Sequence, residues 1–470
     1  MSKSMDESLI HYFRCPERHV RLVLKEPLSG VSGYFLFGAG SVCYGRCSGT
    51  RPAKTPDGDL KDVYPDATAK EGVVSLPFDL TEVTNNLRFE LYTSARRSGR
   101  ETSVNQLYYF LRPLLPVSVR KYLQRIRLGG WNKLSFPHWP VDRTVDDLFE
   151  HVMLLSLRAQ GVNRIPFVWF WPNGAPSGAI MTHDVETAQG RDFSATLMDI
   201  NDSFGIKSSF QVVPEMRYEV KPEYLESIRR RGFELDVQDL NHDGHLYRSR
   251  PEFLARAAKI NAYGRKWSAE GFRSAILYRR QDWFDALDFA YDMSVPNVAH
   301  LDPQRGGCCT VMPFFVGKLL ELPVTTTQDY SMFHILKRHS IALWKLQFEL
   351  IMEKHGLISV IVHPDYIMAP DERLTYETLL NHLAQLRERK GLWIATPSQV
   401  NLWWRQRAQM TVIEDRNGVR IEGAGSERAC IAYASENNGR LVYTVEGAQG
   451  PNGSMAPTPP RSFSGVAKSK

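Results

Sequence analysis

A regular alternation beginning at Gly178 limits this chain more than any other feature. Short apolar runs at 179–183, 207–213, 233–237, 270–273, 319–323, 357–363 and 392–395 alternate with longer stretches of helical spacing. The latter fall at about 191–204, 221–231, 250–265, 281–289, 331–354, 373–389 and 397–409. Strands buried on both faces are continuous apolar runs, and a strand–helix–strand rhythm produces parallel pairing. This many repeats predicts an α/β fold with a closed or nearly closed (β/α) barrel, whose chemistry sits where the strands end. A chain of 470 residues is too long for one ordinary core, so flanking units are expected on both sides.

Residues 1–175 are expected to form an N-terminal α+β extension. Val20 to Leu24 and Val73 to Phe78 are strand-like, and Leu87 to Tyr92 alternates as a strand would. Gly33 to Gly40 predicts a turn-bounded strand and not a phosphate loop, because no Lys-Ser/Thr follows it. Residues 104–128 predict a helix interrupted at Leu111-Arg-Pro-Leu-Leu-Pro116, with Leu107, Phe110, Leu111, Leu114 and Leu115 on one face. Thr144 to Ala159 predicts an amphipathic helix, and Phe167-Val-Trp-Phe-Trp-Pro172 an aromatic strand. The barrel is assigned to 176–409, a small β module to 410–446, and a disordered Pro/Gly/Ser-rich tail to 447–470.

Composition narrows the setting. The net charge of +6 is mild for this length, and the basic residues are scattered apart from clusters such as Arg229-Arg230-Arg231, so no nucleic-acid partner is expected. Six cysteines (Cys15, Cys43, Cys47, Cys308, Cys309 and Cys430) make no disulfide framework, and reduced thiols of a cytoplasmic protein are expected. Met1 to Glu7 lacks the pattern of a signal peptide. No apolar run approaches the about 20 residues that span a bilayer, so no transmembrane segment is expected.

The chemistry gathers at the strand ends. Gly178-Ala-Ile-Met-Thr-His-Asp-Val-Glu186 stops abruptly in Thr182, His183, Asp184 and Glu186. Two carboxylates and an imidazole there form a candidate metal or acid–base site, against the alternative of a polar loop capping the next helix. Val237 runs into Gln238-Asp-Leu-Asn-His-Asp-Gly-His245, a later strand ends in Gly271-Phe-Arg273, and another in His363-Pro-Asp365. Converging on one rim, these groups suit metal-assisted hydrolysis, in which a cation acidifies water and neighbours move protons. The plainer alternatives are a satisfied strand-end His363 and an Arg273 paired structurally with Asp292.

In order and spacing, five motifs over about 176–406 resemble those of the polysaccharide deacetylase family, the NodB-like carbohydrate esterases. They are Thr182-His-Asp-Val-Glu186, Asn241-His-Asp-Gly244, Gly271-Phe-Arg-Ser274, the region of Trp283 and Tyr291-Asp-Met-Ser294, and Ile361-Val-His-Pro364. Glu321-Leu-Pro-Val-Thr325 and Gln328-Asp329 add a likeness to members tied to bacterial exopolysaccharide synthesis. The resemblance implies that Glu186 and His242 hold a divalent cation, zinc or another transition metal, with Gln238 or Asp239 completing the set. It implies Asp184 as base positioned by Arg273, His363 as general acid oriented by Asp365, and Trp283 and Asp292 as the substrate-binding lining. Three departures stand out. Val185 separates acids that are usually adjacent, Gln238 stands where a ligand histidine is usual (with Asp239, Asp243 and His245 as substitutes), and Ser274 and Ala275 replace the usual proline.

The expected function is removal of N- or O-acetyl groups from a bacterial polysaccharide or its lipid-linked precursor, in association with membrane-bound polysaccharide machinery. One rival is a glycoside hydrolase pairing Asp184 or Glu186 with Asp236 or Asp365. The other is a non-catalytic carbohydrate-binding or scaffold protein, in which Gln238 marks a decayed metal site.

Overall fold

The computed structural model describes residues 5–96, 123, 125–416 and 418–447. Most of the helix expected at 104–128 lies outside the described residues, with 123 and 125–128 helical where described, and the tail beyond 447 also lies outside them.

The alternation from Gly178 folds into one curled sheet of nine strands. These are β1 (Gly178–Val185), β2 (Ser209–Val212), β3 (Glu234–Gln238), β4 (Gly271–Arg273), β5 (Tyr291–Asp292), β6 (Phe314–Val316), β7 (Leu319–Glu321), β8 (Leu357–Ile361) and β9 (Trp393–Ile394). Their order is β6-β7-β5-β4-β3-β2-β1-β8, with β9 beside the start of β1. All pairings are parallel except the β6–β7 hairpin. Every residue of β1 is buried, as expected of a strand covered on both faces. Helices 188–203, 222–230, 250–267, 342–352, 370–390 and 397–407 follow the strands, and an apolar layer including Phe210, Leu235, Phe253 and Leu379 lies between them and the sheet.

The barrel is nearly closed, and its seam is joined by hydroxyl groups. After β7, Thr325 Oγ1 donates to Leu357 O at 2.7 Å and accepts from Ser359 N at 2.9 Å. Thr326 Oγ1 donates to Ser359 O at 2.8 Å. Side chains thus satisfy the edge of β8 that a ninth backbone ladder would otherwise serve.

Local chemistry overrides pattern in three places. Leu87 to Tyr92 is not a strand: Asp79 accepts from Glu82 N at 2.9 Å and starts a helix, Leu80–Arg88, that buries Leu80, Val83 and Leu87 at helical spacing. The helix expected at 331–354 splits into a π turn, Ser331–Ile335, and a helix, Ala342–Met352. The helix expected at 281–289 is a short 3₁₀ segment, Gln281–Ala286.

Around the barrel, helices 5–13, 80–88 and 144–160 pack with a three-stranded sheet (22–24, 73–76, 68–70) and a hairpin (33–36, 42–45). The aromatic strand 164–168 pairs with 431–437, so a strand from the C-terminal module and one from the N-terminal region share a sheet. Arg407 ties these parts together: wholly inside, its guanidinium donates to the carbonyls of Tyr12, Phe13, Val168 and Trp169. Among the described residues, no helix is long and apolar enough to cross a membrane.

Replacing Thr325 by Val removes the seam donor and acceptor and strands two buried backbone groups. We expect stability in urea unfolding to fall by about 1–3 kcal/mol; an unchanged midpoint would show that the seam is held otherwise.

Candidate acid–base and metal site

Strand alternation sorts the groups at the end of β1. Thr182, Asp184 and Glu186 take the inner face, while His183 and Val185 take the outer. Val185 between the two acids therefore places both carboxylates on one side. His183 lies under the helix layer, its Nδ1 3.1 Å from Val362 O and its Nε2 2.9 Å from Asn201 Nδ2. Burial pushes its pKa down to about 3, so it stays neutral and structural. Neither acid caps the following helix; Thr187 does, accepting from Gly190 N at 3.0 Å.

Arg273, at the end of β4, is fully buried. Its Nη1 donates to Asp184 Oδ1 at 2.6 Å and to Thr182 Oγ1 at 2.8 Å, and its Nε to Met293 O at 3.0 Å. It does not pair with Asp292, whose oxygens accept from the backbone N and Oγ of Ser294. A guanidinium fixed at both ends sets the direction of the Asp184 carboxylate.

Glu186 is the meeting point. Its Oε1 lies 2.7 Å from His242 Nε2 and 3.5 Å from His363 Nε2, and accepts from Gln238 Nε2 at 3.0 Å. The His242 contact has ion-pair distance but an angle short of a good hydrogen bond. Burial alone would raise the Glu186 pKa; the two imidazoles outweigh it and hold the carboxyl well below its usual range. Burial would likewise lower both histidines, but Glu186 raises His242, and Asp329 with Glu186 raises His363 well above the ordinary imidazole value.

His363 is oriented by Asp329 and not by Asp365. Asp329 Oδ1 lies 2.7 Å from His363 Nδ1, and its Oδ2 accepts from His363 N at 2.6 Å. This leaves His363 Nε2 facing the cavity. Asp365 Oδ1 is buried without a partner.

The cavity has a volume of about 140 Å³ and is lined by Asp184, Glu186, His242 and His363, by Tyr330 and Tyr366, and by Ile276, Leu277 and Leu301. Asp302 and Gln328 also face it, with Gln328 Nε2 donating to Asp302 Oδ1 at 2.8 Å. Trp283 and Asp292, the expected lining, are not there. Trp283 packs beside Phe253 and under Arg280. Asp292 is buried opposite Glu321, and burial followed by that neighbour raises the Glu321 pKa well above its usual value. Asp243 is taken by Arg256 through two bonds of 2.8 and 2.9 Å, and His245 is exposed. Asp239 Oδ1 accepts from Leu240 N at 2.6 Å and the residue does not line the cavity.

Backbone strain clusters at this rim. Asp239 and His242 adopt φ of 51° and 55°, and Ile276 and Leu277 adopt 60° and 52°. For a β-branched residue such as Ile276 this conformation is a true outlier, held by its surroundings. No residue pattern announces it, and it is the feature sequence reasoning missed along with Asp329's role and Asp302.

Among the described residues, Asp184, Glu186 and His363 present one ligand atom each within 4.8 Å of one another, a donor set that fits a divalent cation. Of the ligands expected from the resemblance, Glu186 belongs to this group. His242 reaches Glu186 alone, Asp239 stands apart, and Gln238 presents its amide nitrogen to both carboxylates.

No family model matches the chain, and no curated protein sequence does. Among solved structures it resembles polysaccharide deacetylases. A Mycobacterium smegmatis protein described as a polysaccharide deacetylase is 18% identical over 51% of this chain and 93% of that one, with a TM-score of 0.41. A peptidoglycan deacetylase from Bacillus subtilis is 13% identical over 50% and 95%, with a TM-score of 0.33. A CE4 family pseudoenzyme from Bacillus anthracis is 15% identical over 48% and 65%, with a TM-score of 0.32. These scores leave the chemistry to be read from this chain's own residues.

Replacing Arg273 by Met strands Asp184 in the interior and is expected to cost about 3–5 kcal/mol in urea unfolding. Adding Asp184→Asn to that variant should restore part of the loss; strictly additive costs would contradict the ion pair.

Proposed function

We propose that the chain is a hydrolase that removes acetyl groups from an acetylated polysaccharide or its lipid-linked precursor. One observation carries this: Asp184, fixed by Arg273, and His363, fixed by Asp329, face one small cavity from adjacent strand ends. A carboxylate and an imidazolium so placed are a base and an acid for a single attack by water.

In this proposal the acetyl group enters between the Tyr330 and Tyr366 side and the apolar wall of Ile276 and Leu277. The Asp184 carboxylate takes a proton from water as its oxygen attacks the acetyl carbonyl. His363, kept protonated by Asp329 and Glu186, gives a proton to the leaving nitrogen (or oxygen) as its bond to carbon breaks, and acetate and the free amine (or alcohol) result. Asp329 holds the imidazole with Nε2 toward the cavity. A divalent cation, when held by the Glu186 and Asp184 carboxylates, would polarise the carbonyl and acidify the water, with the protonated His363 remaining outside its donors.

The glycosidase alternative loses support at Asp236. Its oxygens accept from Ser209 Oγ at 2.5 Å, Gly271 N at 2.8 Å and Tyr291 Oη at 3.0 Å inside the barrel, away from the cavity. The binding-protein alternative is favoured by one observation, the amide of Gln238 at the ligand position.

Asp184→Asn should lower kcat for acetate release from acetylated oligosaccharides by at least about 10²-fold with the fold intact by circular dichroism. Full activity in this variant, or new reducing ends without acetate, would overturn the proposal.

A further inference from the structure

Gln238 is the last residue of β3, registered beside Arg273 at the end of β4. Its side chain is completely buried, and its single amide nitrogen donates to Asp184 Oδ2 at 3.2 Å and to Glu186 Oε1 at 3.0 Å. Both hydrogens of the NH₂ group are therefore spent on the two carboxylates that would share a cation. The other end of the amide, Oε1, is buried without a partner, an expensive state for a carbonyl oxygen. A group that bridges two acids with its donors while its acceptor is stranded is suited to two orientations. A half-turn about the terminal torsion exchanges nitrogen and oxygen. The donors would leave the acids, and the oxygen would face the same space as a neutral ligand.

We propose that Gln238 is a latch on the cation site. In the latched state its hydrogens occupy the space between Asp184 and Glu186; a divalent cation enters only when the amide turns its oxygen inward. A cation must therefore displace two hydrogen bonds and accept a neutral oxygen in return, so the site binds weakly and reversibly. The resulting set is richer in oxygen than an imidazole site, which shifts preference toward harder ions such as Mn²⁺. The latch concerns the same cavity as acetyl hydrolysis but does not depend on it, because ion binding is measured without substrate.

The test is calorimetric titration of Mn²⁺ into chelator-stripped full-length protein, comparing wild type with Gln238→Glu and Gln238→His. Neither variant can bridge the acids through an NH₂ group, and each supplies a better ligand. Wild type should bind with a dissociation constant above about 10 μM, and at least one variant ten-fold or more tighter. Two variants are used so that misfolding of one leaves the result readable. Wild-type binding tighter than about 10 μM would overturn the latch, as would two folded variants that both gain less than about ten-fold over wild type. Loss of acetate release with the calorimetric result intact would overturn only the proposed reaction.

Discussion

The buried pair of Arg273 and Asp184 organises the centre of this molecule. A guanidinium with no exposed surface depends on its buried partners, and here two of its three nitrogens reach a carboxylate and a hydroxyl on β1 and a carbonyl just after β5. That requirement fixes β1 against β4 and the turn after β5, and it points Asp184 at the cavity. A second set of charges stands beside it: Glu186 between two imidazoles, with Asp329 behind one of them. Asp184 thus faces Arg273, and Glu186 and Asp329 face His363 from two sides. Gln238 joins the two sets through its amide.

The wall opposite depends on the N-terminal extension. Glu90 and Arg279 form a buried ion pair, and Glu90 also accepts from Gly307 N at 2.6 Å. Arg279 Nη1 donates to Leu277 O at 2.9 Å, and its backbone is paired with the Gln304 side chain. One carboxylate from outside the barrel thereby anchors both loops of the apolar wall, 275–280 and 300–308. This explains how Ile276 and Leu277 are kept in left-handed backbone: the loops are tied at buried points on either side. The extension is part of the site's construction, and its Arg127 and Leu128 also line the cavity.

Much of this was legible in the residues. Apolar runs and helical spacing located the strands of the barrel except β5 and the β6 arm of its hairpin. β5 is two residues long and leaves no periodicity to find, although Asp292 at its end was noticed for another reason. Asp184, Glu186, Arg273, His242 and His363 were identifiable because strand ends collect polar residues. What failed was partner choice. Asp365 stands two residues from His363 and looked like its support, yet Asp329, 34 residues away, takes that place because the segment after β7 runs beside β8. Trp283 and Asp292 were expected in the lining, but Trp283 satisfies an aromatic and cationic cluster and Asp292 a buried carboxylate pair. Side-chain direction at a turn follows tertiary packing, which spacing does not encode.

The central claim is that His363 is held as a buried imidazolium by Asp329 and Glu186, and nitrogen NMR of histidine-labelled, chelator-treated protein tests it most directly. With His363→Gln used to assign the signal, the account predicts that both ring nitrogens stay protonated well above the ordinary titration point near 6.5. A His363 ring that is neutral at pH 6.5, with one unprotonated nitrogen, would contradict it.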